Sequence, residues 1–179
     1  GNLLSALAGF FLAAEGHIDP GLLMGVALGT ALVIGSGCVF NNYIDREIDK
    51  KMSRTKKRAL VTGVVSYRNA LVYATTLGVL GFLVLILFTN PLVVAVGTVG
   101  IFFYVVVYGF AKRRSALSTL VGSIPGATPI VAGYLAATNH FDAGALILFL
   151  IMAIWQLPHF YSIALFRLKD YSAAGLPVL

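Results

Sequence analysis

The sequence predicts an all-α fold, a polytopic bundle of membrane-spanning helices. Three observations point to it. The chain of 179 residues is 59% hydrophobic and only 11% charged, whereas a soluble domain is about a quarter charged. Its mean hydropathy is +0.90. Its apolar residues gather into six runs, and the basic residues between those runs all fall on one side of the alternation.

A helix needs about 20 apolar residues to cross the hydrocarbon core of a bilayer. The expected spans are 3–14, 22–40, 70–88, 92–110, 117–138 and 143–166. The first is short and is expected to be cut at its start. Gly1 is not an initiator, and no basic stretch of the kind that opens a signal peptide precedes the first run. The expectation is one transmembrane domain over residues 1–179, truncated at both ends.

The connections fix the orientation. Between the first two spans lie Glu15, His17 and Asp19, with no Lys or Arg. Between the second and third lie Arg46, Lys50, Lys51, Arg54, Lys56, Lys57, Arg58 and Arg68. Thr89-Asn90-Pro91 is uncharged. Lys112, Arg113 and Arg114 follow the fourth span, and Arg167 and Lys169 follow the sixth. All 13 basic residues therefore share one side. By the positive-inside rule that side is cytoplasmic, or the matrix side in a mitochondrion. Orientation accounts for the net charge of +6, so no nucleic-acid partner is expected. The single cysteine, Cys38, excludes an internal disulfide and a cysteine-rich metal site. Within its Gly-Ser-Gly-Cys run it reads as a small packing residue.

The polar residues that end the second span carry the chemistry. Asn41, Asp45 and Asp49 are spaced i, i+4, i+8, and each step of four advances about 40° around a helix, so they form one stripe. Two carboxylates and an amide offer only oxygen ligands. Mg²⁺ wants oxygen and commonly reaches substrate phosphates through one or two protein carboxylates. Asn41 sits a turn deeper, where a polar side chain is costly unless used. Asn42 and Glu47 fall elsewhere on the helix. Asn42 is kept as a substrate-binding candidate, and Glu47 reads as solvated. The cluster Arg54-Thr55-Lys56-Lys57-Arg58 then supplies cations for phosphate oxygens. Topology alone and anionic lipids also explain a basic loop, and Lys50, Lys51 and Lys56 are assigned mostly to that role. Lys57 is counted with the substrate-binding candidates. Acid stripe and basic loop together point to a lipid diphosphate site.

A second cluster runs from Trp155 to Tyr171. Gln156 and His159 lie inside a span, where polar groups are functional candidates by default. His159 is either a core histidine or a group that touches a cofactor, and Tyr161 beside it is a further candidate. Arg167 and Lys169 suit substrate carboxylates, with Asp170 pairing to them or to metal. The alternative is a charged anchor at the membrane edge. Pro125, Pro129 and Pro158 interrupt the last two spans. They are ordinary kinks or places where backbone lines a cavity, and His159 favours the cavity at Pro158.

Asn41-xxx-Asp45-xxx-Asp49 followed by Arg54-Thr55-xx-Arg58 resembles the first signature of the UbiA-type intramembrane aromatic prenyltransferases. The segments 36–45, 155–159 and 166–171 are similar, more narrowly, to the heme O synthase branch of that family. The likeness runs over nearly the whole chain. It implies nine helices, about six of them here. It implies farnesyl diphosphate as donor, heme B as acceptor and heme O as product, in a bacterial plasma membrane or, in a eukaryote, the mitochondrial inner membrane. Heme A synthase or a terminal oxidase would be the downstream partner. Carried over by position, Asn41, Asp45 and Asp49 would hold diphosphate through Mg²⁺, with Arg54 and Arg58 as catalytic helpers. His159, Arg167, Lys169 and Asp170 match the second signature of the branch. Two positions depart from the wider family. Ala59 stands where Pro is common, and Arg167, Lys169 and Asp170 stand where a second aspartate stripe is usual. The second departure suits heme, whose propionates are carboxylates.

Three other readings use the same residues. The first is a UbiA-type enzyme with another aromatic acceptor, such as a quinone precursor. The second is a transporter built on small-residue, broken helices, although its carboxylates would sit at the membrane face rather than the midplane. The third is a non-catalytic heme-binding module with His159 as axial ligand.

Overall fold

The computed structural model describes residues 1–115 and 117–177, and among these every regular element is helical. The order is α1 (Asn2–Ala14), α2 (Pro20–Asp49), α3 (Ala59–Thr62), α4 (Tyr67–Phe88) and α5 (Pro91–Phe102). A π-helical turn, Phe103–Tyr108, continues α5 into α6 (Gly109–Ala111). Then come α7 (Ser118–Thr138), α8 (Ala143–Phe166) and α9 (Leu168–Ala173). Five helical segments are long and apolar enough to cross a membrane: α2, α4, the continuous 91–111 segment, α7 and α8. The chain thus reads as an integral membrane protein. With 13 residues, α1 reaches only about 20 Å at 1.5 Å per residue, short of a hydrocarbon core of about 30 Å.

Polar caps set where the helices start. Asp19, with Pro20 behind it, accepts from the Leu22 N–H at 3.0 Å. Ser66 does the same for Asn69 at 3.2 Å, and Asp142 for Ala145 at 3.0 Å. Asn90 accepts from Leu92 and Val93, and its amide donates to the Leu135 carbonyl at 2.7 Å. One side chain therefore starts α5 and ties it to the end of α7. Each cap satisfies N–H groups that a helix start leaves without partners. Asn139 in the left-handed region ends α7, a conformation asparagine tolerates.

The 30 residues of α2 span about 45 Å. That exceeds the bilayer core, so the helix carries its last turns beyond it. The apolar run ends near residue 40, and the helix carries the polar stripe on to Asp49, as its i, i+4, i+8 spacing requires. The acid stripe therefore stands on a rigid extension of a membrane helix.

Small residues allow close packing in an apolar solvent. Helix α2 packs along α4, where Ser36 donates to the Ala74 carbonyl at 2.8 Å. Helix α1 packs along α7, which also contacts α5 and α8. The α1–α7 contact is backbone against backbone. A Cβ on Gly133 would lie 1.8 Å from the Ala6 carbonyl oxygen, and one on Gly9 would lie 2.0 Å from that of Ile130. The buried core runs through this seam, with Phe10, Ile130, Val131 and Leu135, and on to Val26, Val33, Leu85 and Val93. Overpacking costs about 1–3 kcal/mol, so Gly133→Val is expected to lower the thermal midpoint of the detergent-solubilised protein by several degrees. An unchanged midpoint would contradict the α1–α7 seam.

Candidate active site

A cavity of about 460 Å³ opens where α2, the 91–111 segment, α7 and α8 converge. Asn41, Asp45, Asp49, Arg54 and Arg58 line its polar end. Val33, Ile34, Gly37, Ile101 and Pro129 line the apolar part. The sequence-predicted stripe and both arginines are thus brought to one wall. The volume falls within the range of about 300–1,000 Å³ usual for ligand pockets.

Both carboxylates are buried and both are paired. Asp49 is 3% exposed, and its Oδ2 accepts from Arg58 at 2.6 Å. Thr55, also buried, donates to the Asp49 carbonyl at 3.2 Å. These two bonds curl the basic loop back onto the end of α2. Asp45 is paired from the other direction. Lys112 Nζ lies 2.5 Å from its Oδ2 and 2.7 Å from the Asn41 amide oxygen. Arg113 stands 3.5 Å from Asp45 Oδ1 and also donates to the Ile44 carbonyl. Burial holds the Lys112 pKa below the usual lysine value, against the pull of Asp45.

The π-helical turn prepares this contact. Such turns are frequent at functional sites. Here Tyr104 and Tyr108 stack at 6.2 Å with planes 9° apart, and both line the cavity. Lys112 lies 5.2 Å from the Tyr108 ring centre. Gly37 and Gly122 leave room for the two rings. On α7, Pro125 and Pro129 line the cavity, and Thr128 donates to the Pro125 carbonyl at 2.8 Å. Gln156 of α8 is buried against Gly126, whose missing Cβ gives its amide space.

The second cluster divides. Asp170 reaches the basic loop, where it accepts from the Ser53 backbone N–H at 3.2 Å and the Ser53 hydroxyl at 2.7 Å. The Ser53 hydrogen bond leads in holding the Asp170 carboxyl below its ordinary pKa. Tyr171 lines the cavity. Asn42, Lys57, His159, Tyr161, Arg167 and Lys169 are not among its lining residues. His159 is exposed on α8 and stacks on Trp155 at 5.0 Å. Pro158 is exposed with it, so the proline breaks that line the cavity belong to α7.

Sequence reading did not single out Lys112, Tyr104 or Tyr108. Lys112 looked like one of three topological cations, and nothing in a linear reading ties it to Asp45, 67 residues away. The spacing of Tyr104, Tyr108 and Lys112 at i, i+4, i+8 was the available signal.

Among the described residues no group of three His, Cys, Asp or Glu side chains gathers to bind metal. The oxygen set still fits a hard cation that shares its shell with substrate phosphates. Asp45 Oδ1 is buried and accepts no hydrogen bond, with the Arg113 guanidinium 3.5 Å away, so an oxygen lone pair is left for such a cation.

A buried pair that loses one partner leaves an uncompensated charge, at a cost of about 3–5 kcal/mol. Lys112→Met is therefore expected to destabilise the ligand-free protein by about 3 kcal/mol in thermal unfolding. The double variant Lys112→Met/Asp45→Asn should recover most of that loss. Equal midpoints for wild type and Lys112→Met would contradict the pairing.

The chain has known relatives in sequence and in fold. The chain is 55% identical to the protoheme IX farnesyltransferases of Sodalis glossinidius (strain morsitans) and Edwardsiella ictaluri (strain 93-146), with all of the chain matched. It spans 61% of the length of these relatives. In fold it is similar to a UbiA homolog from Aeropyrum pernix K1 (TM-score 0.81, 22% identity, 98% of this chain and 66% of that one). It is similar also to a UbiA homolog from Archaeoglobus fulgidus bound to DMAPP and Mg²⁺ (TM-score 0.81, 18% identity, 98% and 62%). The UbiA prenyltransferase family matches residues 2–179, and the chain belongs to that family.

Proposed function

We propose that this chain forms the donor-binding part of a Mg²⁺-dependent protoheme IX farnesyltransferase, which joins farnesyl diphosphate to a vinyl group of heme B to give heme O. One observation carries the diphosphate half of this reading: Asn41, Asp45 and Asp49 lie beside Arg54, Arg58 and Lys112 at the polar end of an apolar cavity. The names of the relatives at 55% identity support the acceptor. A metal and a prenyl diphosphate bound to a neighbour of the same fold support the donor chemistry. We place the polar end on the cytoplasmic side of a bacterial plasma membrane, or on the matrix side in a mitochondrion, from the basic connections.

Asp45 and Asp49, with the Asn41 amide oxygen, would hold Mg²⁺, which when bound supplies Lewis-acid neutralisation of the diphosphate. Arg58, Arg54 and Lys112 add cations aimed at the same charge. The diphosphate leaves with the electron pair of the C–O bond, so charge builds on its oxygens in the transition state. Preorganised cations there lower the barrier. Lys112 would exchange a carboxylate partner for a phosphate one without moving far. The stacked rings of Tyr104 and Tyr108 face the cavity, where an aromatic face favours a cation. They suit the allylic carbon that gains positive charge. The apolar wall excludes water from that carbon. The vinyl group of heme then bonds to the farnesyl carbon, and water captures the resulting cation and loses a proton.

Asn42, Lys57, His159, Tyr161, Arg167 and Lys169 remain our candidates for the acceptor side, where Arg167 and Lys169 would suit heme propionates. The test uses the full-length protein in membranes, given heme B and farnesyl diphosphate. Wild type is expected to yield a more apolar heme with the mass of the hydroxyethylfarnesyl adduct on reversed-phase chromatography. Asp45→Ala and Asp49→Ala should insert normally yet lose more than about 100-fold in turnover, the scale of removing one transition-state electrostatic group. Near-normal turnover in both variants would refute the metal-site assignment. A prenylated product from a different aromatic acceptor, with heme B unchanged, would discard the acceptor.

A further inference from the structure

We infer that Ser53 and Asp170 form a hydrogen-bond clasp that positions Arg54 at the diphosphate end of the cavity, and that in this chain Asp170 does this in place of binding metal. The inference rests on the donor site proposed above. It goes further by assigning Ser53, a residue with no role in that reading, as a positioning residue.

The geometry is specific. Both the backbone N–H and the hydroxyl of Ser53 donate to Asp170 Oδ1, at 3.2 and 2.7 Å, and the hydroxyl lies 2.9 Å from Oδ2. The residues are 117 positions apart, one in the loop after α2 and one in α9. Each adjoins a residue of the cavity wall, Arg54 on one side and Tyr171 on the other. The loop is pinned on both sides of Arg54. Met52 is 3% exposed and Thr55 is 2% exposed. Thr55 holds the Asp49 carbonyl and Arg58 holds the Asp49 carboxylate. Ser53 is the pin between them, and it fixes the backbone one residue before Arg54. Without it Arg54, itself exposed, has no other hydrogen bond from its loop neighbours to α9 to hold its direction.

The same bonds argue against Asp170 as a ligand. Its Oδ1 already takes two donors from Ser53, and no third acidic or histidine side chain joins it in a metal-binding group among the described residues. The clasp needs an acceptor rather than a charge. An asparagine oxygen in the Oδ1 position would accept the same two donors, with its amide facing the Ser53 hydroxyl oxygen. A metal ligand, or an anion serving Arg54 and Arg167, would need the charge.

Two measurements on the full-length protein in detergent test this. The first is amide hydrogen exchange over residues 52–58 without substrate. Asp170→Ala and Ser53→Ala are expected to speed exchange there, and Asp170→Asn and Ser53→Thr to leave it near wild type. The second is equilibrium binding of farnesyl diphosphate with Mg²⁺. Ser53→Ala and Asp170→Ala should each weaken binding by about tenfold, the worth of a hydrogen bond to a charged group. The double variant should be no weaker than either single one. Asp170→Asn and Ser53→Thr should bind as wild type, with an unchanged half-saturating Mg²⁺ concentration. The inference is overturned if Asp170→Asn is as damaging as Asp170→Ala, if the half-saturating Mg²⁺ concentration rises in Asp170→Asn, or if Ser53→Ala binds as wild type. If wild type itself binds no farnesyl diphosphate, the donor reading fails, Arg54 has no such ligand to be positioned for, and the inference falls with it. Exchange then still reports whether the clasp exists.

Discussion

Buried carboxylates at the end of a membrane helix must find positive partners, and that requirement organises this molecule. Water that would solvate Asp45 and Asp49 is largely excluded, since both are buried. Isolated charges in such a place are prohibitive. The chain answers with two cations from different directions. Arg58 arrives from the loop that follows α2, and Lys112 from the end of the 91–111 segment. The first closes the loop onto its own helix. The second joins two membrane segments at one level. The cavity lies between these pairs, so its polar end is defined by electrostatic necessity before any ligand arrives.

The same pairs make the site responsive to a ligand. A carboxylate satisfied by lysine is stable but exchangeable: in the function we propose, a diphosphate with its cation would replace both halves of the pair. Asp45 Oδ1 faces Arg113 at 3.5 Å yet accepts no hydrogen bond, so this oxygen is the least committed of the pair. The rest of the bundle keeps the exchange local. Asn90 locks α5 to α7, the α1–α7 seam admits no extra methyl group, and the extended α2 holds the stripe rigid.

Much of this was legible in the sequence because membrane helices announce themselves through unbroken apolar runs. The expected ends at 14, 88, 138 and 166 coincide with the helix ends of α1, α4, α7 and α8. The apolar span is expected to end at 40 and the stripe beyond it to be helical, and α2 runs on to Asp49, since the polar residues continue the helix that the apolar run begins. The stripe itself was legible from its i, i+4 spacing and the basic loop from its place directly after it, while Arg54 and Arg58 were singled out within that loop by the family resemblance. Lys112 and Ser53 were not, since their partners lie 67 and 117 residues away and no local pattern encodes such contacts. Pro158 drew attention because it adjoins His159, but the wall is made by Pro125 and Pro129, whose α7 is the more enclosed helix. His159 is exposed on α8, and its resemblance to the family signature carries more than its surroundings here.

In the function we propose, the acid stripe and its cations form one metal-dependent diphosphate site. Its most direct test is equilibrium binding of inorganic pyrophosphate to the purified full-length protein, with and without Mg²⁺, in wild type and in Asp45→Asn/Asp49→Asn. Binding to wild type is expected only with Mg²⁺ and is expected to be lost in the double variant. Binding of equal strength without metal, or undiminished in the double variant, would contradict the proposal.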